Sequence, residues 1–260
     1  MFPELFNIDF NGFLGIETIT ISTYAVCIVL GALIATKYAK ITAKKELGVS
    51  LSNNLVYLIF IAGYAGGKVF LYLEKPLFYL NNPDEILNTF SGGFVFYGSF
   101  LFIVPTIFWY LKKYQLPVLP LLDVAAVSVV IVQVLGRLGC FFAGCCYGEP
   151  TNHFFGVSFP ATPSLAVHPT QLYESSILLL FLIFLFLFKN YKHFNGQLFL
   201  IYISFYGVSR IIIEIFRGDV RGQFVEGVLS HSQGIAIVLI ILSAIAYYKK
   251  KKTINSKLIL

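Results

Sequence analysis

The stretch Leu121-Leu-Asp-Val-Ala-Ala-Val-Ser-Val-Val-Ile-Val-Gln-Val-Leu-Gly136-Arg-Leu-Gly-Cys140-Phe-Phe-Ala-Gly-Cys145-Cys-Tyr-Gly148 decides the fold. A long, mostly apolar run closes on a permanent cation, Arg137, and three thiols. About 20 apolar residues at 1.5 Å rise each cross the ~30 Å hydrocarbon of a bilayer, so the run reads as a membrane-spanning helix. Arg in hydrocarbon costs from roughly 3 to more than 10 kcal/mol. Arg137 therefore requires an anionic ligand, a carboxylate partner or a water-filled cavity.

Composition extends this reading to the whole chain. Of the 260 residues 57% are hydrophobic and only 12% charged, against about 25% charged in soluble domains. The mean hydropathy is +0.79. Seven spans are expected, at about 16–36, 55–76, 92–111, 121–142, 171–188, 197–216 and 231–248. Lys37, Lys40, Lys44, Lys45, Lys112, Lys113, Lys189, Lys192, Lys249 to Lys252 and Lys257 then fall on one side. Lys75, Arg217 and Arg221 fall on the other. Cytoplasmic loops carry the excess of Lys and Arg, which puts the N-terminus outside and the C-terminus in the cytoplasm. The net charge of +6 is thus topology, and no nucleic-acid partner is expected. The fold class is an all-α membrane protein, one polytopic domain over 1–260. Residues 1–15 lack the basic start of a cleavable signal peptide and read as an interfacial piece. The segment from about 143 to 170, rich in Phe, Pro and Gly, reads as a small outer cap.

Polar residues cluster near the outer ends of these spans. Arg210, Glu214 and Arg217 are spaced by four and three, which sets them on one helical face. One reading pairs Arg210 with Glu214 as a structural lock. With Arg137, however, three guanidinium groups leave positive charge seeking an anion, and Arg favours phosphate through bidentate hydrogen bonds. A lipid phosphate is the anion available at that depth. His168-Pro-Thr-Gln-Leu-Tyr-Glu174 opens the fifth span, and Gln171 and Glu174 are placed to face one cavity. Tyr24 and Tyr97 offer hydroxyls, although aromatic-belt anchoring also accounts for a lone interfacial Tyr. Gly98 permits a close backbone approach. Ser232, Gln233 and Gly234 open the seventh span.

Cys27 reads as a small core residue. Cys140, Cys145 and Cys146 leave four readings open: a disulfide on the oxidising side, a thiolate favoured by Arg137, passive packing, or a metal site. The Cys-x4-Cys-Cys spacing does not match a structural zinc pattern, so no metal is expected.

Taken in order, several segments resemble the bacterial prolipoprotein diacylglyceryl transferase family. They are Tyr24, Gly66-Gly-Lys68, Ser91-Gly-Gly-Phe-Val-Phe-Tyr-Gly98, Asp123, Gly136-Arg-Leu-Gly139, His168 to Glu174, Tyr206-Gly-Val-Ser-Arg210 with Glu214 and Arg217, and Ser232-Gln-Gly234. The resemblance implies transfer of the diacylglyceryl group of phosphatidylglycerol to the thiol of a lipoprotein signal peptide, or a related thiol acceptor, at the outer face of a bacterial cytoplasmic membrane. Arg137 and Arg210 would hold the lipid phosphate, Arg217 and Glu214 would orient them, and Tyr24 and Tyr206 would position the headgroup. Gly98, His168, Gln171, Glu174 and Gln233 complete the implied substrate site. No metal or soluble cofactor is implied, and a monomer is expected. The chain departs from the family in carrying Tyr97 where a His base usually stands, Lys68 for Arg, Cys140 for Asn, and Ala143-Gly-Cys145 for Asn-Gly-Glu. Tyr97 and Cys145 are then the residues at the acceptor chemistry, with Cys145 as proton acceptor or transient nucleophile. Two other functions fit the same residues: a membrane thiol–disulfide oxidoreductase or thiol sensor built on Cys140, Cys145 and Cys146, and lipid binding or transport without chemistry.

Overall fold

The computed structural model describes residues 4–9, 18–83, 85–86, 95–216, 223–225 and 229–259. The elements in chain order are β1 (Glu4–Asp9), β2 (Thr18–Ser22), α1 (Thr23–Leu47), α2 (Asn53–Glu74), α3 (Pro76–Asn81) and α4 (Phe96–Lys113). Then come α5 (Val118–Ala143), α6 (Thr170–Phe188) with one 3-10 turn after it, α7 (Gln197–Glu214), β3 (Gln223–Val225), β4 (Leu229–Ser230) and α8 (His231–Ile259). Six helices are long and apolar enough to cross a membrane: α1, α2, α5, α6 with its 3-10 extension, α7, and α8 over Ser232–Ile254. The chain is a helical, multi-pass membrane protein. The remaining expected span, 92–111, coincides with α4. Its described residues include Lys112, Lys113, Tyr97, Gly98 and Pro105, and it is not among the six.

The first span also starts later than its hydropathy suggested. Thr18-Ile-Thr-Ile-Ser22 is not helical but pairs antiparallel with Glu4–Asp9, Ile8 facing Ile19 and Asp9 facing Thr18. Alternating β-branched residues have a period of two and fit a pleated strand better than a helix. Helix α1 begins only at Thr23, where that alternation stops.

The chain divides into two compact units, Met1–Ala39 with Leu119–Leu260, and Lys40–Val118. In the second unit α2 packs on α4 through glycines. A Cβ built on Gly66 would overlap the Gly98 carbonyl oxygen, and one on Gly98 would overlap that of Gly66. Neighbouring Phe102 and Phe70 are equally close, at 2.8 and 2.6 Å from those positions. Small residues let helix backbones approach in just this way. Gly98 thus gives its open side to α2, the close backbone approach expected of it.

The first unit buries Val127, Val130 and Val134 of α5 against Leu178 and Leu185 of α6 and Leu198 of α7. Two glycines draw α1 onto α5: a Cβ on Gly139 would lie 2.9 Å from Cys27 Cβ, and one on Gly31 would lie 3.2 Å from Val132 Cα. At the end remote from Arg137, the buried carboxylate of Asp123 organises the start of α7. Its Oδ2 accepts from Gly196 N at 2.9 Å and Lys192 Nζ at 3.1 Å, and its Oδ1 accepts from Phe199 N at 3.2 Å. The first N–H groups of a helix have no partners within it, and here a carboxylate from another helix supplies one. Gly196 takes φ +91, a backbone state open to glycine at little cost.

Replacing Asp123 with Ala leaves a half-buried Lys192, the buried Gly196 amide and the half-buried Phe199 amide without this acceptor. Thermal unfolding in detergent is expected to show a loss of about 2–4 kcal/mol. A loss below about 0.5 kcal/mol would show that the bond network is not holding α7.

Candidate active site

Helix α5 ends in a pattern that gathers the thiols. Gly144 takes φ +70, its N–H donates to Phe141 O at 3.1 Å, and the Cys145 N–H donates to Cys140 O at 3.1 Å. These two bonds, with glycine in the left-handed state after the last helical residue, make a Schellman C-cap. The motif brings the residue after the glycine back over the helical residue five positions earlier, here Cys145 over Cys140. Cys146 then also takes a positive φ, +64, unusual and strained for a non-glycine residue. The result is that the Sγ atoms of Cys140, Cys145 and Cys146 all lie within 4.8 Å of one another.

The turn is tied down from the start of α6. Gln171 Nε2 donates to Cys145 O at 2.5 Å and Thr170 Oγ1 to Cys146 O at 2.8 Å. Gly148 N donates to His168 O at 2.8 Å, His168 N to Glu149 O at 3.0 Å, and Glu149 N to Phe216 O at 3.1 Å. Thr170 and Gln171 are fully buried. Gln171 therefore acts through the cysteine turn it clamps. Beyond the turn, Phe159 is buried and stacks on Tyr147 with centroids 5.2 Å apart, and Val157 pairs with Val167, so the 144–169 connection has its own small core.

None of the four cysteines is in a disulfide. The Cys145 thiol is half-exposed and pushed above its ordinary range. A hydrogen bond with Cys140 favours its thiolate, but the bond with Cys146, burial and repulsion from Cys146 outweigh that, even with Arg137 favouring ionisation. Arg137 thus acts on the Cys145 thiol in the expected direction, although it is not the dominant influence there. An open cavity of about 580 Å³ lies in front of it, lined by Glu4, Ser22, Tyr24, Cys140, Cys145 and Cys146.

Behind the thiols runs a chain of alternating charges. Arg137 Nε meets Glu174 Oε2 at 2.5 Å, Glu174 Oε1 lies 3.6 Å from Arg210 Nη1, and Arg210 Nη2 lies 2.7 Å from Glu214 Oε2. Ser232 donates to the other Glu214 oxygen at 2.9 Å. The expected Arg210–Glu214 pair is present. What spacing did not reveal is that Glu174 bridges both arginines, joining α5, α6 and α7. Among the described residues, two cations and two carboxylates alternate along this chain. Arg217 lies outside the described residues. The contact of Arg210 with Glu214 is close but not aligned as a hydrogen bond. Arg210 Nη1 and Glu214 Oε2 remain buried without a hydrogen-bond partner among the described residues. Arg210 itself is 9% exposed, whereas the Arg137 side chain is 24% exposed.

The other expected residues divide into two groups. Tyr24, 42% exposed, lines the cavity with the thiols, and Tyr206 lines a narrow crevice with Glu174 and Ser209. His168 shares a 3.2 Å hydrogen bond between Nδ1 and the Tyr173 hydroxyl, and its ring lies against Phe216. Gln233 acts locally. Its Oε1 accepts from Ser230 N at 3.0 Å while its own N–H donates to Ser230 Oγ at 3.2 Å. This is a capping box at the start of α8, signalled in sequence by Ser-x-x-Gln. Tyr97, 62% exposed, and Gly98 belong to the second unit.

Gly148 is the tightest point of the clamp, since a Cβ there would overlap Phe216 O and lie 2.8 Å from Thr170 Cγ2. Gly148→Ala is expected to cost about 1–3 kcal/mol by overpacking, read as a lower thermal midpoint in detergent. An unchanged midpoint would mean that the turn is not held against α6 and α7.

Comparison with known proteins agrees with this arrangement. The family model described as prolipoprotein diacylglyceryl transferase matches residues 12–249. The chain is 36% identical over 230 residues to the phosphatidylglycerol–prolipoprotein diacylglyceryl transferase of Clostridium tetani, covering 86% of this chain and 91% of that one. It is 33% identical over 250 residues to the protein of the same name from Rickettsia africae, covering 93% and 95%. For that of Finegoldia magna the identity is 32% over 241 residues, covering 91% and 94%. Three buried or half-buried helices joined by one carboxylate between two arginines, within a sequence matched almost end to end, place the chain in the prolipoprotein diacylglyceryl transferase family.

Proposed function

We propose that this chain moves the diacylglyceryl group of phosphatidylglycerol onto the cysteine thiol of a prolipoprotein signal peptide, at the outer face of a bacterial cytoplasmic membrane. Seven spans serve this, with α4 as the seventh, the N-terminus outside, the C-terminus in the cytoplasm and the 144–169 connection as an outer cap. The chain works as a single polytopic domain and as a monomer. The observation that carries the reading is the Arg137–Glu174–Arg210–Glu214 chain.

Buried ion pairs are poor sources of stability, because desolvation offsets the attraction. Four charged side chains so close to one another are better explained by a charge they receive. A phosphodiester carries one negative charge, and guanidinium groups match it in bidentate fashion. Arg137 uses only its Nε toward Glu174, and Arg210 Nη1 has no hydrogen-bond acceptor among the described residues. Both keep donors for phosphate oxygens. Glu174 and Glu214 fix the planes of these guanidinium groups and thereby their aim.

In the reaction the acceptor sulfur attacks the glyceryl CH2 carbon bonded to the phosphate oxygen. The thiol gives up its proton to water in the cavity, a C–S bond forms, the C–O bond breaks, and glycerol phosphate leaves with the electron pair. Negative charge grows on the phosphate as the bond breaks, and preoriented donors are then worth more than in the ground state. Tyr24 and Tyr206 position the headgroup, Arg217 adds to the phosphate site, and Gln171, His168 and Gln233 position the elements around it. Cys145 serves the acceptor step, and the family resemblance assigns Tyr97, which belongs to the other unit, to the same step.

The test is lipidation of a signal-peptide substrate by purified protein in phosphatidylglycerol vesicles, read by mass. The diacylglyceryl increment is expected, and Arg137→Gln or Arg210→Gln should each slow it by about 10²–10³-fold. Absence of the increment with the unaltered protein, or an unaffected rate in both variants, would refute the reading.

A further inference from the structure

Transfer to sulfur needs a thiolate, and of the described side chains lining the cavity in front of the cysteine turn Glu4 is the single carboxylate, with no histidine among them. At pH 7 roughly 3% of an unperturbed thiol is ionised. The only concentration of nucleophilic or metal-ligating side chains facing the large cavity of the first unit, among the described residues, is Cys140, Cys145 and Cys146. We propose that these three thiolates bind one Zn²⁺ ion whose fourth coordination position opens into the cavity and takes the sulfur of the incoming signal-peptide cysteine. The inference rests on the transferase reading above and names the device that ionises its acceptor.

Geometry carries the first half. Zn–S bonds of about 2.3 Å in a tetrahedral site separate the sulfurs by roughly 3.8 Å. The three Sγ atoms already lie within 4.8 Å of one another, so a contraction of about 1 Å brings them to that spacing. The ligands are set on a backbone built to converge: a helical residue, the residue after a left-handed glycine, and a third at φ +64. Gln171 and Thr170 hold the carbonyls of Cys145 and Cys146, the kind of outer support that orients metal ligands. Soft thiolates select Zn²⁺ or Cu⁺ over harder cations. A fourth, water-accessible position suits Zn²⁺, which keeps such an opening in catalytic sites. The sequence spacing argued against zinc only because the common structural patterns supply four protein ligands, whereas a site that receives a substrate thiol needs three.

Chemistry carries the second half. A thiol bound to Zn²⁺ is deprotonated outright. The signal-peptide S–H loses its proton to water in the open cavity, and the sulfur is held by zinc. It then attacks the glyceryl carbon, the C–O bond breaks, and glycerol phosphate departs with that electron pair. The thioether product binds zinc weakly and leaves. No electron is gained or lost by the metal. Three thiolates and Zn²⁺ carry one net negative charge beside the Arg137 cation, whose field reaches Cys145. Glu4 lines the same cavity.

The experiment uses the full-length protein without a histidine tag, in detergent and in phosphatidylglycerol vesicles. Elemental analysis should give one zinc per chain, lost in Cys145→Ser and in Cys146→Ser. Replacement of zinc by Co²⁺ should give sulfur-to-cobalt absorption in the near ultraviolet, which shifts when signal peptide is added without lipid and not when its cysteine is serine. A strong chelator should slow lipidation by about 30-fold at pH 7, the inverse of the free thiolate fraction, and added Zn²⁺ should restore it. The slowed rate should rise nearly tenfold per pH unit, while that of the zinc protein stays flat. Lipidation that is fully retained with zinc removed overturns the proposal and leaves the transferase reading standing. Zinc that binds but gives no peptide-dependent cobalt shift also overturns it. If no lipidation occurs under any metal condition, the transferase reading fails, while the zinc content and the cobalt shift still decide the site.

Discussion

The carboxylate of Glu174 is the contact on which the rest of the site depends. It sits on α6, one oxygen on Arg137 of α5 and the other toward Arg210 of α7, and it is nearly inaccessible. Without it two guanidinium groups would face each other in a setting where an unpaired Arg costs at least roughly 3 kcal/mol. With it, two cations are held on either side of one carboxylate. Packing follows from the same constraint. The valine face of α5 is covered by Leu178 and Leu185 from the helix that carries Glu174 and by Leu198 from the helix that carries Arg210. The apolar core and the charged chain are therefore two levels of one three-helix contact.

The cysteine turn is built by a different kind of force. It owes its shape to backbone hydrogen bonding at a helix end, where carbonyls must find donors outside the helix. Gly144 satisfies them by turning left-handed, and the thiols converge as a consequence. Side-chain clamps from Thr170 and Gln171 then fix the turn to the start of α6, four residues or fewer from Glu174. The ion-pair chain and the cysteine turn are thus attached to the same helix terminus.

Much of the helical order was legible in the sequence, since hydrocarbon thickness and helical rise fix span length. The strand at Thr18–Ser22 was not read, because a hydropathy window averages over the Thr-Ile alternation that marks it. The Arg210–Glu214 pair was legible from its spacing of four. The Glu174 bridge was not, since residues 37 and 36 positions away in the chain meet it only through helix packing. Two features were present in sequence and passed over: Ser230-x-x-Gln233 as a capping box, and Gly144 as a helix stop that folds Cys145 onto Cys140. In both, local hydrogen bonds satisfy the groups left open at a helix end.

The most direct measurement of the central claim is a double-variant cycle on lipidation, with Glu174→Gln, Arg137→Gln and both together. If Glu174 works by holding Arg137 for the lipid phosphate, the two losses in kcat/KM overlap. The double variant then falls short of the summed effects by an interaction energy of about 1–3 kcal/mol. Losses that add to within about 0.5 kcal/mol would show that Glu174 and Arg137 act independently, and would contradict the account.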